Sequence, residues 1–242
     1  MHRNGNTKNT IMKKSKKDCD LKSCFFCKLC LTEWLPAVSA HRKTYHVKKG
    51  ERFFNEGDPV NGIYFVYSGK VKVHKKWGPD KELIVRFAEK GSIIGHRGLG
   101  HNSIFPVSGT AIEPSIVCFI DIDFFQTTLK VNTELTYNLM MFFADELQDS
   151  ERKMRNLAHM PVKGRVAQAL LTLQDQFGIQ DSGVIDIELT RQDLASFAGT
   201  TYESVFRIIN DLVIDKLISV SQKSIVILDQ EGLFKLTQDA II

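Results

Sequence analysis

The chain has 242 residues, 43% of them hydrophobic, which is enough for two modest globular domains that each bury a core. The formal net charge of +4 allows a nucleic-acid partner, but residues 151–242 contain ten Lys and Arg against twelve Asp and Glu. The net charge of residues 151–242 therefore cannot account for nucleic-acid binding, which would have to come from a few placed side chains. No apolar stretch approaches the roughly 20 residues that span a bilayer, and no apolar signal core follows the first residues. We expect a cytoplasmic protein with reduced thiols and no membrane partner.

Most of the cysteines are concentrated near the N-terminus, behind a basic tail. Cys19, Cys24, Cys27 and Cys30 fall within twelve residues, whereas Cys118 lies almost ninety residues away. Reduced cysteines in this pattern predict a soft-metal or iron–sulfur site that is closed by one distant ligand. Two alternatives are open at this point: a structural zinc, which four thiolates also satisfy, and thiols that bind no metal.

Short β-strands are predicted after the cysteines. Ten of the sixteen glycines lie between Gly50 and Gly109, and they separate short segments in which apolar and polar residues alternate. Short strands with frequent turn residues are typical of an antiparallel barrel or sandwich. The last segment, Ser115–Ile122, places Cys118 on an apolar face because strand side chains alternate with a period of two.

A long helix is predicted next, because the stretch from Phe124 to His159 contains no Gly and no Pro. Its apolar residues recur in a seam of coiled-coil type, and a helix of this length needs a partner. We expect that partner to be the same helix of a second subunit, in a symmetric homodimer. An ordinary core helix packed on the barrel is the alternative. The predicted dimerisation residues are Leu135, Leu139, Phe142, Met154 and Leu157.

A third region follows Pro161. Its pattern predicts an amphipathic helix over 165–177 and a strand over 184–189. Thr190–Asp193 is a capping box that starts a short helix, and a Gly-containing turn precedes a second helix from about Tyr202 to Asp215. Two helices around such a turn are typical of a helix-turn-helix motif, and a predicted hairpin after them would be its wing.

The second of these helices has a polar face that suits DNA. Spacing at 100° per residue places its aliphatic side chains toward the core and exposes the opposite face. On that face Arg and Asn can contact G and A bidentately, and Glu can accept a hydrogen bond from the C amino group. The predicted DNA-binding residues are Tyr202, Glu203, Phe206, Arg207 and Asn210, together with Thr201 and Arg191.

A simpler alternative assigns two of these residues to helix stability alone. Glu203 would close a capping box with Thr200 and would pair with Arg207 four residues later. That alternative leaves the exposed aromatic ring of Phe206 unexplained, whereas contact with a thymine methyl group would give the ring a use.

The order of these parts resembles the Crp/Fnr family of bacterial transcription regulators from about residue 19 onwards. The matching segments are Lys49-Gly50, Gly57-Asp58, Tyr64–Val71 and Thr201–Arg207. The resemblance implies an α+β fold and partners that include promoter DNA and RNA polymerase. It also implies that Glu203 and Arg207 read the half-site, with Phe206 in place of the small residue usual there. The implied parts are a basic tail and cysteine cluster (1–30), a cyclic-nucleotide-binding-like β-barrel (31–123), a dimerisation helix (124–160) and a winged helix-turn-helix (161–242).

Within the family, the cysteines resemble those of the oxygen-responsive FNR type, in which an N-terminal cluster and one barrel cysteine hold a [4Fe–4S] cluster. The segment Glu113–Cys118 closely matches the site of that barrel cysteine, while the equal gaps between the N-terminal cysteines depart from the longer second gap of the best-known members. The resemblance implies Cys24, Cys27, Cys30 and Cys118 as ligands. Cys19 is a possible substitute ligand.

A small-molecule effector is the main alternative, because the family's barrel binds cyclic nucleotides in other branches. Those members use a Glu for the ribose and an Arg–Ser pair for the cyclic phosphate. This chain has His96 and Val107 where the Glu and the Arg belong. A buried phosphate without its Arg would be poorly bound.

No catalytic pattern is present in the sequence, since the histidines and carboxylates form no nucleophile–base pair and neither a phosphate-loop spacing nor an HExxH motif occurs. The sequence therefore predicts a regulator, not an enzyme. We expect it to sense oxygen, redox state or nitric oxide through a [4Fe–4S] cluster that controls dimerisation and promoter binding. Structural zinc or redox-active thiols are the alternatives to the cluster.

Overall fold

The computed structural model describes residues 13–14, 20–78 and 81–238, so Cys19 lies outside the described residues. The chain divides into two compact units. The first contains the described residues up to Lys76 together with Val85–Met141. The second contains the described part of Trp77–Ile84 and the chain from Phe142 onwards.

The first unit begins with short elements that carry the cysteine segment. Helix α1 is only five residues long, and Cys24 caps its N-terminus by accepting a hydrogen bond from the backbone N–H of Cys27. Helix α2 has a proline in its first turn, where the missing N–H costs no hydrogen bond. These elements are strand β1 (Lys13–Lys14), α1 (Phe25–Leu29), a 3-10 helix (Thr32–Trp34) and α2 (Leu35–His41).

Two antiparallel sheets form the predicted barrel. One has the order β1-β2-β9-β4-β7 and the other β3-β8-β5-β6. Strand β9 pairs with both β2 and β4, and its first six residues are all buried, so both of its faces are covered. The strands are β2 (Lys43–Val47), β3 (Arg52–Phe54), β4 (Gly62–Ser68), β5 (Val71–Trp77), β6 (Lys81–Ala88), β7 (Ile93–Ile94), β8 (Ser108–Ala111) and β9 (Ser115–Asp121).

The helix predicted over 124–160 is two helices, α3 (Ile122–Val131) and α4 (Thr133–His159). Asn132 separates them, with a φ of −110° and a ψ of 84° that end α3. The carbonyl oxygen of Thr128 accepts from both the backbone N–H and the side-chain Nδ2 of Asn132, each at 3.0 Å. A non-helical backbone conformation at Asn132 therefore ends α3 in a segment without Gly or Pro.

The second unit contains the predicted winged helix-turn-helix. The strand predicted over 184–189 is wrong, because this segment makes only isolated bridges at Val184 and Ile185. The predicted capping box of Thr190 and Asp193 is confirmed at the start of α6. The elements are α5 (Val162–Phe177), α6 (Arg191–Ala198), α7 (Tyr202–Ile214), β10 (Ile218–Ser221), β11 (Ser224–Ile227) and α8 (Gln230–Gln238).

Within the part of the chain that the structure describes, no helix combines the length and the apolar composition that crossing a bilayer requires.

Candidate functional site

The cysteine segment is fastened to the barrel. The backbone N–H of Phe25, at the start of α1, donates to the carbonyl oxygen of Gly91 at 2.9 Å. The ring of Phe26 packs between Phe65 of β4 and Phe125 of α3, with centroid distances of 5.3 and 5.5 Å. Helix α1 is too short to be stable alone, so these contacts hold it in place.

Cys118 lies on the face of the sheet that α1 covers. It is the direct partner of Phe65 in β4 and of Thr44 in β2, and directly paired residues of antiparallel strands project from the same face. Its Sγ lies 4.0 Å from Thr44 Oγ1, and the side chain is buried. Because Phe26 packs on Phe65, the α1 segment with Cys24 and Cys27 lies on the same side of the sheet as Cys118.

Three of the N-terminal thiols are largely shielded from solvent. Cys24 and Cys27 are buried, and Cys30 is half-buried. Burial, with a smaller contribution from nearby Cys24, raises the pKa of the Cys30 thiol to about 12. The thiol is thus neutral at physiological pH, and a metal would have to displace its proton.

The four thiols are not assembled into a finished metal site. Among the described residues, no group of three or more His, Cys, Asp or Glu side chains is arranged to hold a metal ion. The predicted ligands Cys24, Cys27, Cys30 and Cys118 all lie in the first compact unit.

The predicted DNA-binding face lies on α7. Val205, Ile209 and Leu212 are buried, as the helical spacing predicts, while the opposite face is exposed. The rings of Tyr202 and Phe206 stack with their centroids 6.4 Å apart, and 51% of Phe206 remains exposed. The exposed side chains of this face are Tyr202, Glu203, Phe206, Arg207 and Asn210.

The cap of α7 is one residue later than the simpler alternative requires. Thr201 is the N-cap, and its hydroxyl oxygen accepts from the backbone N–H of Ser204 at 3.3 Å. A capping box of Thr200 with Glu203 is therefore wrong, and Glu203 is left on the outer face of the first turn, where base contacts are expected. Arg191, the last predicted contact, is half-buried at the start of α6. Burial lowers the pKa of the Arg191 guanidinium, and the electrostatic effect of Tyr202 raises it by a smaller amount.

One residue that the sequence analysis missed positions this motif. Arg165 of α5 donates from Nε to the carbonyl oxygen of Ala198 at 3.0 Å and from Nη2 to that of Gly199 at 3.2 Å. Its Nη1 donates to the carbonyl oxygen of Met160 at 2.9 Å. The guanidinium thus holds the turn that joins the two helices of the motif. The signal in the sequence was a lone Arg directly before the apolar face of α5.

The predicted dimerisation residues do not lie on one exposed face of α4. Leu135 and Leu139 are buried within the subunit, Phe142 is half-buried, and Met154 and Leu157 are exposed. Met154 also belongs to an apolar row that is exposed at steps of seven residues, together with Met140 and Leu147, and 61% of Leu147 is accessible.

Comparison with known proteins gives matches in both units. Residues 44–132 match the cyclic nucleotide-binding domain and residues 164–236 match the Crp-like helix-turn-helix domain. The chain is 29% identical over 201 residues to the anaerobic regulatory protein of Bacillus subtilis, covering 82% of this chain and 83% of that protein. It is 32% identical over 178 residues to the cAMP-activated global transcriptional regulator CRP of Escherichia coli, covering 72% of this chain and 83% of that protein.

The chain belongs to the Crp/Fnr family of transcription regulators. The structure of FixK2 from Bradyrhizobium japonicum superposes with a TM-score of 0.72 over 81% of this chain and 96% of that one, at 21% identity, which supports the shared fold. Membership of the Crp/Fnr family confirms the predicted fold. It also confirms the prediction that the chain is a DNA-binding transcription regulator and not an enzyme.

In this Crp/Fnr protein, aromatic rings fill the interior of the cyclic-nucleotide-binding domain. Phe54 lies 4.5 Å from Phe105, and Tyr64 lies 5.2 Å from Phe53 and 5.0 Å from Phe119, all between ring centroids. Ser108, which follows Val107, has its hydroxyl oxygen occupied by the backbone N–H of Glu56 at 2.9 Å. His96 and Val107, which stand where the cyclic-nucleotide ligands would be, are both buried.

Proposed function

We propose that this transcription regulator senses oxygen or redox state, with nitric oxide as a further candidate signal, through a [4Fe–4S] cluster bound by Cys24, Cys27, Cys30 and Cys118. The observation that carries the proposal is the packing of Phe26 on Phe65, which places α1 against the sheet face that bears Cys118. The proposed consequence is that cluster binding favours a homodimer competent to bind promoter DNA.

The residues present suit an iron–sulfur group. Four thiolates with one distant member are the donor set of such clusters, and burial of three of the four keeps water from them. When bound, the cluster would supply bonds that oxygen or nitric oxide can break. The chain's own part is to release the thiol protons, Cys30's included, and to hold the α1 segment against β9.

The proposal extends to the dimer and to RNA polymerase. Regulators of this family bind promoter DNA as dimers, and the exposed row of Met140, Leu147 and Met154 on α4 is the surface we assign to the second subunit. Three apolar side chains at a spacing of seven form a seam that a second copy of the helix can cover. RNA polymerase is the expected partner of the promoter-bound dimer.

Purification without oxygen tests the cluster directly. We expect iron and acid-labile sulfide in a ratio near one, visible absorption that bleaches in air, and a parallel loss of dimer in sedimentation experiments. A colourless protein that contains stoichiometric zinc would contradict the cluster proposal and would favour a structural metal instead. A protein without any metal that binds DNA equally well before and after air exposure would contradict sensing at this site.

Leu147→Glu tests the dimer surface. The Leu147 side chain is mostly exposed in the subunit, so we expect the monomer to keep its stability. In the dimer, the seam would have to bury two carboxylates, one from each subunit. Dimerisation should weaken at least about 100-fold by analytical ultracentrifugation. Gln148→Glu is the matched control, because it adds the same charge about 100° around the helix. Equal weakening by both variants would mean that net charge, not the seam, controls association.

A further inference from the structure

Asn132, at the break between α3 and α4, links the cysteine segment to the long helix. Only 1% of its surface is exposed. Its side-chain oxygen Oδ1 accepts a hydrogen bond of 2.7 Å from the backbone N–H of Leu31, a residue 101 positions earlier in the chain. Its Nδ2 donates to Thr128 at 3.0 Å, so both ends of the amide are occupied and its orientation is fixed.

The donor of this bond follows directly on a predicted cluster ligand. Leu31 comes after Cys30, in the connection between α1 and the 3-10 helix. A second bond from the same stretch runs from Trp34 Nε1 to Thr128 Oγ1 at 3.0 Å. These two hydrogen bonds therefore both reach the C-terminal end of α3.

The other side of Asn132 leads into α4. The backbone N–H of Thr136 donates to the carbonyl oxygen of Asn132 at 3.0 Å, which starts the hydrogen-bond ladder of the long helix. Asn132 thus bonds to both sides of the junction, twice to Thr128 in α3 and once to Thr136 in α4.

We propose that Asn132 is the positioning residue through which the state of the cysteine site controls α4. The inference rests on the proposed cluster. While the thiols are coordinated, the chain at Cys30 is held and presents the Leu31 N–H to Asn132. When coordination is lost and the segment moves, Asn132 keeps a buried acceptor without its donor, and the geometry of the α3–α4 junction loses its support. The α4 seam then associates less well.

Leu31→Pro removes this hydrogen bond, and because the ring Cδ takes the place of the N–H, the Asn132 side chain must also shift away from residue 31. Asn132→Ala would delete both side-chain bonds and leave a void, and so could fail to fold. Leu31 has a φ of −54°, within the range of proline, and Cys30 has a ψ of 146°, which suits a residue that precedes proline. The Leu31 side chain is 51% exposed, so its loss alone has a small effect. Leu31→Ala, which keeps the N–H, is the matched control.

The measurement compares dimerisation constants of the full-length protein without oxygen and after air exposure, with iron and sulfide determined on the same samples. We expect Leu31→Ala to match the wild type. Leu31→Pro should retain the cluster, and its ratio of the two constants should fall by about fivefold or more, toward one.

Three results would overturn the inference. An unchanged ratio in Leu31→Pro with full cluster content would show that the hydrogen bond transmits nothing, while the sensing function stands. Loss of the cluster in Leu31→Pro, but not in Leu31→Ala, would assign the N–H to cluster assembly. Absence of iron and sulfide from the anaerobic wild type would remove the proposed function itself, and this inference with it.

Discussion

Replacement of Cys118 with Ser is expected to abolish the iron and the acid-labile sulfide of the anaerobically purified protein. A serine hydroxyl is a poor ligand for a site that selects soft thiolates. The other three predicted ligands lie within seven residues of one another, so Cys118 is the predicted ligand that a barrel strand supplies. Without it, anaerobic dimerisation and operator binding should fall to the level of the air-exposed wild type.

The same substitution should leave the barrel folded. Serine has nearly the shape of cysteine, and Thr44 Oγ1, 4.0 Å from the sulfur, offers its hydroxyl a nearby polar partner. The cost to the free energy of unfolding should be about 1–3 kcal/mol at most. Thermal unfolding of the metal-free proteins checks this expectation, and a variant that unfolds at growth temperature would make the cluster measurement a test of stability alone.

Cys19→Ser is the matched control, because it removes one thiol from the same cysteine cluster without touching a predicted ligand. We expect this variant to keep its iron, its sulfide and its response to air. Equal loss of cluster from Cys19→Ser and Cys118→Ser would show that the ligand assignment is wrong. Full cluster content in Cys118→Ser would require the fourth ligand to come from elsewhere in the chain.

Local signals made the helix-turn-helix predictable. The capping box at Thr190, the Gly199 turn and the aliphatic residues at helical spacing on α7 are all set by neighbours within a few positions. The predicted helix from about Tyr202 to Asp215 therefore differs from α7 by one residue. The alternation over 184–189 also looked local, but a strand needs a neighbouring strand, and the segment finds only single bridges.

In the long helix, local sequence signals do not predict which apolar residues are buried. Its apolar residues form two rows, and a spacing of seven fits both of them. Leu135 and Leu139 belong to the row that the subunit itself buries, whereas Leu147 belongs to the row that stays exposed. Which row is covered depends on tertiary packing. The spacing of apolar residues along the helix does not reveal it. The interruption at Asn132 likewise depends on a partner 101 residues away.

The candidate cysteine site is intermediate between these cases. Spacing in the sequence identifies which thiols could act together, and the pairing of β9 with β4 explains how Cys118 reaches them. The raised pKa of the Cys30 thiol could not be predicted, because it results from burial in the folded protein. The identity of the candidate ligands could therefore be predicted from the sequence. The effect of burial on their thiols could not.

Arg207→Ala is expected to relax sequence specificity at one base pair of each half-site. The guanidinium is on the exposed outer face of α7, near the end that enters the major groove. A bidentate contact with G contributes about 1–3 kcal/mol of discrimination, so the preference for G·C at that position should fall by roughly five- to a hundredfold. Gel-shift titrations on a selected operator and its single-base variants, at one fixed salt concentration, measure this change.

Phe206→Ser provides the matched contrast on the same face. The ring is half exposed and stacked on Tyr202, so we expect it to contact a thymine methyl group and not a hydrogen-bonding edge. Replacing that thymine with deoxyuridine, which lacks the methyl, should weaken binding by the wild type but not by Phe206→Ser. Arg207→Ala should remain sensitive to the same replacement, because the two side chains read different base pairs. If Arg207→Ala weakens binding uniformly on all operators, its guanidinium contacts only phosphate, and Glu203 must carry the discrimination at the G·C pair.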